Sequence, residues 1–226
     1  MKTTLAFDVY GTLIDTNGVV AALQKLINNE AESFSQTWRD KQLEYSFRRS
    51  LMQNYENFAV CTSQALDYTC AFHKVSLTNE QKAELLGIYR VLPAFNDVKE
   101  GLTRLKTAGF RLYAFSNGKA DALEMLLNTA GIRNLFLDIV SVDDIKTFKP
   151  STGTYCHFLR KAQAMGYNAW LISSNPFDVI GAISAGMKSA WLRRSPEEIF
   201  DPWGIDPSIT VSSLLDLADK INEHSL

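Results

Sequence analysis

The sequence predicts an α/β protein in which a parallel sheet, covered on both faces by helices, carries one helical insertion. Two observations predict it. Short apolar runs alternate with helix-length stretches whose apolar residues recur every three or four positions, the pattern of a sheet built from crossover units. That alternation is interrupted once, directly after the first strand, by a long segment that is helical in period throughout.

Leu5-Ala6-Phe7 is an apolar run that ends in Asp8 and is followed by Tyr10-Gly11-Thr12, which reads as a buried strand whose end turns sharply at a glycine. Further strands are expected at Phe110 to Phe115, Leu135 to Val142, Ala169 to Ile172, Ser189 to Leu192 and Ile209 to Val211. Between them Val98, Leu102 and Leu105 precede Gly109, and Leu123, Leu126 and Leu127 precede Gly131, so each group reads as a helix closed by a glycine. From Thr16 to Ala94 the only helix breakers are Gly18, Gly87 and Pro93, and four helical stretches are expected near Val19 to Asn28, Ser33 to Met52, Tyr55 to His73 and Asn79 to Leu92. Trp38, Leu43, Phe47 and Leu51 form the apolar stripe of the second, and Glu44 with Arg48 is a favourable i,i+4 pair. Helices inserted at this point suggest a cap domain, residues 16–94, on a core of residues 1–15 and 95–226.

Composition narrows the partners. The chain has 226 residues, 23 Lys and Arg against 25 Asp and Glu, and a net charge of −2, so neither a nucleic-acid stripe nor an acidic tail dominates its field. With 46% hydrophobic and 21% charged residues it reads as ordinary and globular. The opening MKTTLAFDVYGTL holds one Lys and a short apolar run broken by Asp8, and no apolar stretch reaches the length of a membrane span, so a cytoplasmic protein is expected. Cys61, Cys70 and Cys156 are odd in number and lack CxxC spacing, which argues against a disulfide framework or structural zinc and for three small buried thiols.

In an open α/β sheet ligands bind beyond the carboxyl ends of the strands, which directs attention to four polar clusters. They are Asp8 in FDVYGTL, Ser116-Asn117-Gly118 in FSNG, Lys149-Pro150 in FKP, and Ser173-Ser174-Asn175 with Asp178 in SSNPFD. Taken singly, each has a plain structural explanation: a carboxylate at a helix cap, a turn, a helix start. Their recurrence at successive strand ends points to a shared site.

In that order the clusters resemble the four motifs of the haloacid dehalogenase superfamily, matched by Asp8 with Thr12, Ser116 with Asn117, Lys149, and the acidic fourth motif around Asp178. The resemblance covers nearly the whole chain and is strongest to the L-2-haloacid dehalogenases, which share the FDxYGTL start, the SNG and SSN-x-x-D motifs, and a cap segment close to WRDKQLEYSFRRSLM, Trp38 to Met52. It implies a Rossmann-like core and an Asp8 nucleophile that attacks C2 of a 2-haloacid, expels halide and leaves an aspartyl ester. By the same resemblance Lys149 keeps Asp8 ionised, Thr12 orients it or caps the next helix, and Ser116 with Asn117 takes the substrate carboxylate. Arg39 of the cap would receive the departing halide. Asp178, positioned by Lys149, Ser173 and Asn175, would be the base for ester hydrolysis, with Tyr155 holding Lys149 or Asp178. Tyr10, Leu43, Phe58 and Phe177 would form the apolar wall.

Without the resemblance these residues read differently: Arg39 as a solvated helix residue among Lys41, Arg48 and Arg49, Lys149 as a surface lysine opening a helix, Tyr155 and the wall residues as packing. Two departures from the family stand out. Asp40 occupies a place usually taken by Gln and would bring a carboxylate toward the halide, and Pro176-Phe177 replaces a small residue and Trp. His73, His157 and His224 match no catalytic position, and Trp170, Trp191 and Trp203 lie in or beside core segments.

Phosphatases of the superfamily carry a second Asp two residues after the nucleophile, where this chain has Tyr10, and the fourth motif retains one acid, Asp178. Metal-free displacement at carbon fits that set better than Mg²⁺-assisted phosphoryl transfer. The expected function is therefore hydrolysis of small (S)-2-haloacids such as 2-chloropropionate to (R)-2-hydroxyacids plus halide. Substrate and water are the expected partners, with no cofactor, metal, nucleic acid or membrane, and the resemblance implies a homodimer. A Mg²⁺-dependent phosphatase, in which Tyr10 merely packs, and an idle carboxylate-binding protein are the alternatives.

Overall fold

The computed structural model describes residues 2–224, and its centre is a six-stranded parallel sheet in the order β3-β2-β1-β4-β5-β6. The strands are β1 (Thr4–Phe7), β2 (Arg111–Ser116), β3 (Asp138–Ser141), β4 (Ala169–Ser173), β5 (Lys188–Leu192) and β6 (Ile209–Val211). Strand β1 is flanked by β2 on one side and β4 on the other, so the order reverses there, and the crevice beyond its carboxyl end is where such a sheet accepts a ligand. Register carries the polar clusters to that edge: Phe7 lies beside Ala114 and beside Ile172, so Asp8, Ser116 and Ser173 leave the sheet together.

Alternation along the strands assigns each residue to a face. Leu5, Phe7, Leu112, Ala114, Trp170 and Ile172 share one apolar cluster with Leu102, Leu105, Leu123, Leu126 and Leu127 from α5 (Val98–Thr107) and α6 (Ala120–Thr129). Ala6, Tyr113, Phe115 and Leu171 face the opposite way, onto Tyr155 and Phe158 of α7 (Thr152–Ala162) and Ala182 of α8 (Pro176–Ser184). The short α9 (Leu217–His224) packs Leu217 and Ile221 on the first of these clusters.

Between β1 and α5 the chain forms α1 (Asn17–Ile27), α2 (Ala31–Leu51), α3 (Phe58–His73) and α4 (Asn79–Ile88). Caps set their boundaries. Asn57 Oδ1 accepts the Val60 N–H, so α3 begins at Phe58 rather than at Tyr55, and a capping box between Thr78 and Gln81 opens α4. The long α2 packs against α3 through Trp38, fully buried, whose Nε1–H donates to Thr62 O at 2.8 Å.

Five expectations need correction. The strand expected from Leu135 to Val142 is shorter, because Arg133–Leu135 coils into a 3₁₀ turn and Ser141 Oγ accepts the Asp143 N–H to start another at Val142. Helix α4 stops at Ile88, four residues before Leu92. Leu51, at the end of the α2 stripe, is 86% exposed because the helix has run past the layer it covers, and Trp203 is also exposed. Of the three thiols, Cys61 and Cys70 are buried and Cys156 lies on the outer face of α7. No helix among the described residues is long and apolar enough to cross a membrane.

Candidate active site

The site begins with the turn that follows β1. Asp8 extends the strand by donating its N–H to Ile172 O at 3.0 Å, and the chain then reverses at Gly11, whose φ of +79° side chains rarely adopt. The N–H groups of Thr12, Leu13 and Ile14 all return to Val9 O. This knot brings the Thr12 hydroxyl to 2.9 Å from Asp8 Oδ2. Thr12 therefore orients Asp8; the helix that follows starts later, at Asn17, and Thr12 does not cap it.

Lys149 is the centre of charge. It is 1% exposed, and its ammonium donates to Asp8 Oδ1 at 3.3 Å, Asp178 Oδ2 at 2.9 Å and Phe115 O at 2.8 Å, so all three protons have acceptors. The reading of Lys149 as a surface lysine is thereby excluded. Its backbone N–H is held in turn by Asn117 Oδ1 at 3.0 Å. A cation wedged between two carboxylates offsets repulsion that would otherwise drive one to protonate.

Asp178, fully buried in the first turn of α8, also accepts from the Tyr155 hydroxyl at 2.7 Å. Burial raises its carboxyl above the usual range, as does the charge of Asp8, while Lys149 and Tyr155 oppose the rise. Burial and the Asp178 charge hold the Tyr155 phenol well above its ordinary value, so Tyr155 remains a proton donor. Of the expected holders of Asp178, Ser173 and Asn175 are corrected here. Lys149 and Tyr155 hold it, whereas Ser173 Oγ accepts the Asn175 N–H and Asn175 turns toward Asp8.

Asn175 occupies the cap position of α8 and makes no side-chain cap bond. Its amide is used elsewhere: Nδ2 donates to Asp8 Oδ2 at 2.9 Å, and Oδ1 accepts from Arg39 Nη2 at 3.1 Å. Arg39 reaches across from α2, steadied by Gln42 Oε1 at 3.2 Å from Nη1. Gln42 is itself buried and donates to Thr62 Oγ1. No carboxylate of the described residues forms an ion pair with Arg39, so its charge is directed at the cleft. Asp40, the next residue, is exposed and accepts from Gln36 Nε2 at 2.9 Å; it does not line the small cavity at Asp8, but it lines the wider outer cleft with Arg39 and Asn175.

A small cavity of about 20 Å³ is enclosed by Asp8, Tyr10, Arg39, Leu43, Phe58, Ser116, Asn117, Lys149, Asn175 and Phe177. Polar groups occupy its floor and aromatic and aliphatic groups its walls. Burial and the neighbouring Tyr89 push the Tyr10 phenol up to about 12, so it presents a neutral ring and hydroxyl. Phe177 meets Phe47 of α2 edge-on at 5.1 Å between ring centroids. Ser116 Oγ accepts the Gly118 N–H, folding the loop ahead of α6 over the cavity. Thr12, Tyr155, Ser173 and Asp178 stand behind this lining rather than in it.

Sequence reasoning missed Gln42 and gave Ser174, named within the fourth cluster, no role of its own. The Ser174 N–H donates to Thr12 Oγ1 at 2.9 Å and its hydroxyl donates to Gly11 O at 2.9 Å, tying β4 to the Asp8 turn. Gln42, one helical turn after Arg39, carried a legible signal; Ser174 carried none beyond its place in SSN. Among the described residues no three His, Cys, Asp or Glu side chains gather as metal ligands, and the position two after Asp8 offers the phenol of Tyr10.

Residues 2–186 match the family model described as haloacid dehalogenase-like hydrolase. The chain is 34% identical over 211 residues to the (S)-2-haloacid dehalogenase of Pseudomonas sp. (strain YL), covering 93% of this chain and 90% of that protein. It is 35% identical over 208 residues to haloacetate dehalogenase H-2 of Moraxella sp. (strain B), covering 92% of each. The L-2-haloacid dehalogenase of Xanthobacter autotrophicus, solved with chloropropionic acid covalently bound, superposes with a TM-score of 0.91 at 28% identity, over 98% of this chain and 99% of that one.

Proposed function

The chain belongs to the haloacid dehalogenase-like hydrolases, and on that premise we propose that it converts small (S)-2-haloacids to (R)-2-hydroxyacids and halide through an ester on Asp8. One observation carries the reading: the Arg39 guanidinium, with no carboxylate partner among the described residues, and the Asp8 carboxylate line the same cavity and share the Asn175 amide. A nucleophilic anion and a cation for a departing anion then lie on either side of a small bound molecule.

Asp8 Oδ1 has one contact, the long one to Lys149, whereas Oδ2 accepts two hydrogen bonds, so Oδ1 is the freer oxygen for attack. It forms a bond to C2 while the carbon–halogen bond breaks, its electron pair leaving with the halide beside Arg39. Attack from the face opposite the halogen inverts C2. Ser116, Asn117 and the N–H groups ahead of α6 suit the substrate carboxylate, and Tyr10, Leu43, Phe58 and Phe177 its carbon chain. Water then attacks Asp8 Cγ and yields a proton to Asp178. The bond from Cγ to the hydroxyacid oxygen breaks, that oxygen takes the proton from Asp178, and the carboxylic acid left on Asp8 releases the water's second proton to solvent, which restores its carboxylate.

A cavity of about 20 Å³ admits roughly one water and not a three-carbon acid, so entry requires the helical layer to part from the sheet edge. We accordingly assign residues 16–94 as a cap domain over a core of residues 1–15 and 95–226. We read the chain as cytoplasmic, a reading that its three free cysteines support, and as a homodimer, which the family resemblance supports. The phosphatase alternative is disfavoured because Tyr10 stands where the superfamily's phosphatases carry a second acid and the fourth motif retains one acid, Asp178.

The test is halide release from L-2-chloropropionate by the purified protein, expected to persist in EDTA and to vanish in Asp8→Ala. Release of phosphate from a phosphomonoester, dependent on Mg²⁺ and without any halide from the haloacid, overturns it.

A further inference from the structure

Behind the Asp8 turn sits a charged side chain that the chemistry above does not use. Arg194, just past the end of β5, is largely buried, with a side chain 11% exposed. Its Nε and Nη2 donate to one acceptor, Thr12 O, at 3.1 and 2.6 Å. Its Nη1 donates to both oxygens of Asp97 at 2.8 and 2.9 Å, and its guanidinium lies over the Phe95 ring at 4.2 Å. Asp97 is fixed from elsewhere, accepting the Leu214 N–H at 2.8 Å and the Ser213 hydroxyl at 3.2 Å. Burial would raise the Asp97 carboxyl, but the Leu214 amide and the Arg194 charge outweigh it and hold it below the usual carboxylate range.

A salt bridge that served stability alone would need only Asp97. Here two of the three guanidinium nitrogens are spent on the carbonyl of the residue whose hydroxyl fixes Asp8 Oδ2. The second group on Oδ2, Asn175, is braced from the same strand: Trp191 Nε1–H donates to Ser174 O at 3.1 Å, one residue before Asn175. Arg194 also borders an outer cleft of about 660 Å³ beside the active-site cavity. Every guanidinium nitrogen is already engaged, which leaves it poorly placed to take an anion there.

Resting on the dehalogenase reading for its substrate, we propose that Arg194 is a positioning residue, clamping Thr12 O against Asp97 so that the Thr12 hydroxyl holds the Asp8 carboxylate in line with the bond it breaks. A lysine keeps the charge and loses the planar fork, so it cannot hold the carbonyl and the carboxylate together.

Arg194→Lys is expected to lower kcat about 10-fold and Arg194→Met roughly 100-fold, the scale of a misplaced reacting group. KM should stay within about threefold, because no substrate contact is lost. Arg194→Lys placed on Thr12→Val should add little to the loss from Thr12→Val alone, since the two act through one contact. Losses that multiply, a raised KM at retained kcat, or an unchanged kcat in folded variants would each overturn the proposal. Should Arg194→Met fail to fold, Arg194→Lys and Asp97→Asn decide the matter. Wild-type halide release tests the substrate reading separately; a chain releasing phosphate instead is assayed on that reaction, in which Asp8 is still the attacking group. For a chain that turns over neither, a crystal structure of Arg194→Lys decides: Thr12 Oγ1 drawn away from Asp8 Oδ2 supports the clamp, and an unmoved turn overturns it.

Discussion

Arg39 Nη2 donates to Asn175 Oδ1 at 3.1 Å, and the other end of that amide donates to Asp8 Oδ2 at 2.9 Å. The amide orientation is thus dictated by charge, its oxygen toward the cation and its NH₂ toward the carboxylate. One side chain registers the helical layer against the nucleophile. With the layer on the sheet, the Asn175 amide holds Arg39 and Asp8 at a fixed separation, alongside the Ser50–Thr147 and Tyr55–Asp143 hydrogen bonds that also join the two layers.

Replacing Arg39 tests that registration. Arg39→Ala should lower kcat by roughly 10²- to 10³-fold, the usual cost of removing a charge-stabilising donor, and Arg39→Lys should recover part of it. The lysine keeps a point charge but cannot bond Asn175 and Gln42 at once in the forked geometry seen here. Steady-state kinetics on L-2-chloropropionate measure both, and an Arg39→Ala enzyme with wild-type kcat refutes the role.

Tyr155 offers a pH readout. Its hydroxyl stabilises the charged form of Asp178, opposing the rise caused by burial. Tyr155→Phe removes that help, so the Asp178 carboxyl moves still higher. Since ester hydrolysis needs the deprotonated form, activity in the variant is lost at a higher pH than in the wild type, with the acid limb displaced upward. The pH profile of single-turnover hydroxyacid release is the measurement, and a limb that stays in place or falls contradicts the assignment of Asp178 as base.

How much of this was legible in the sequence depends on the range of the signal. Strand ends were legible because a short apolar run followed by a polar residue and glycine is a local pattern, as at Phe7, Asp8 and Gly11. Lys149 was ambiguous because burial is not local: its three acceptors come from positions 8, 115 and 178. Arg39 was distinguished from its basic neighbours by family resemblance alone, since a helix surface does not announce which arginine faces a cleft. Lys149 and Tyr155 were legible as holders of Asp178, whereas Ser173 and Asn175 were misassigned to it because nearness in sequence was taken for nearness of side chains: the Asn175 amide is directed at Asp8 and the Ser173 hydroxyl at the Asn175 N–H. Arg194 gave no signal, since its contact with Thr12 spans 182 positions.

Phe177 tests the assignment of the apolar wall. It lines the cavity and leans on Phe47 across the cleft, so Phe177→Ala both enlarges the cavity and removes an aromatic contact between the two layers. The ratio of kcat/KM for 2-bromohexanoate over 2-chloropropionate should rise by roughly 10-fold, the discrimination that a few methylenes afford in an apolar pocket. An unchanged ratio would place the acyl chain elsewhere.

Gly181 bears on stability and chemistry together. It lies within α8, where alanine would ordinarily gain up to about 1 kcal/mol over glycine. A Cβ there would overlap the Tyr155 hydroxyl and stand 2.8 Å from Tyr155 Cε2 and 2.9 Å from Pro150 Cβ. The ring is fully buried and held by Asp178, so it has little room to yield, and overpacking of this kind costs about 1–3 kcal/mol. The clash outweighs the propensity, and Gly181→Ala should lower the urea midpoint while displacing Tyr155 from Asp178. Adding Tyr155→Phe removes the oxygen that the new methyl meets. The double variant should therefore regain part of the lost stability without regaining the wild-type pH profile, a pattern that simple helix propensity would not produce.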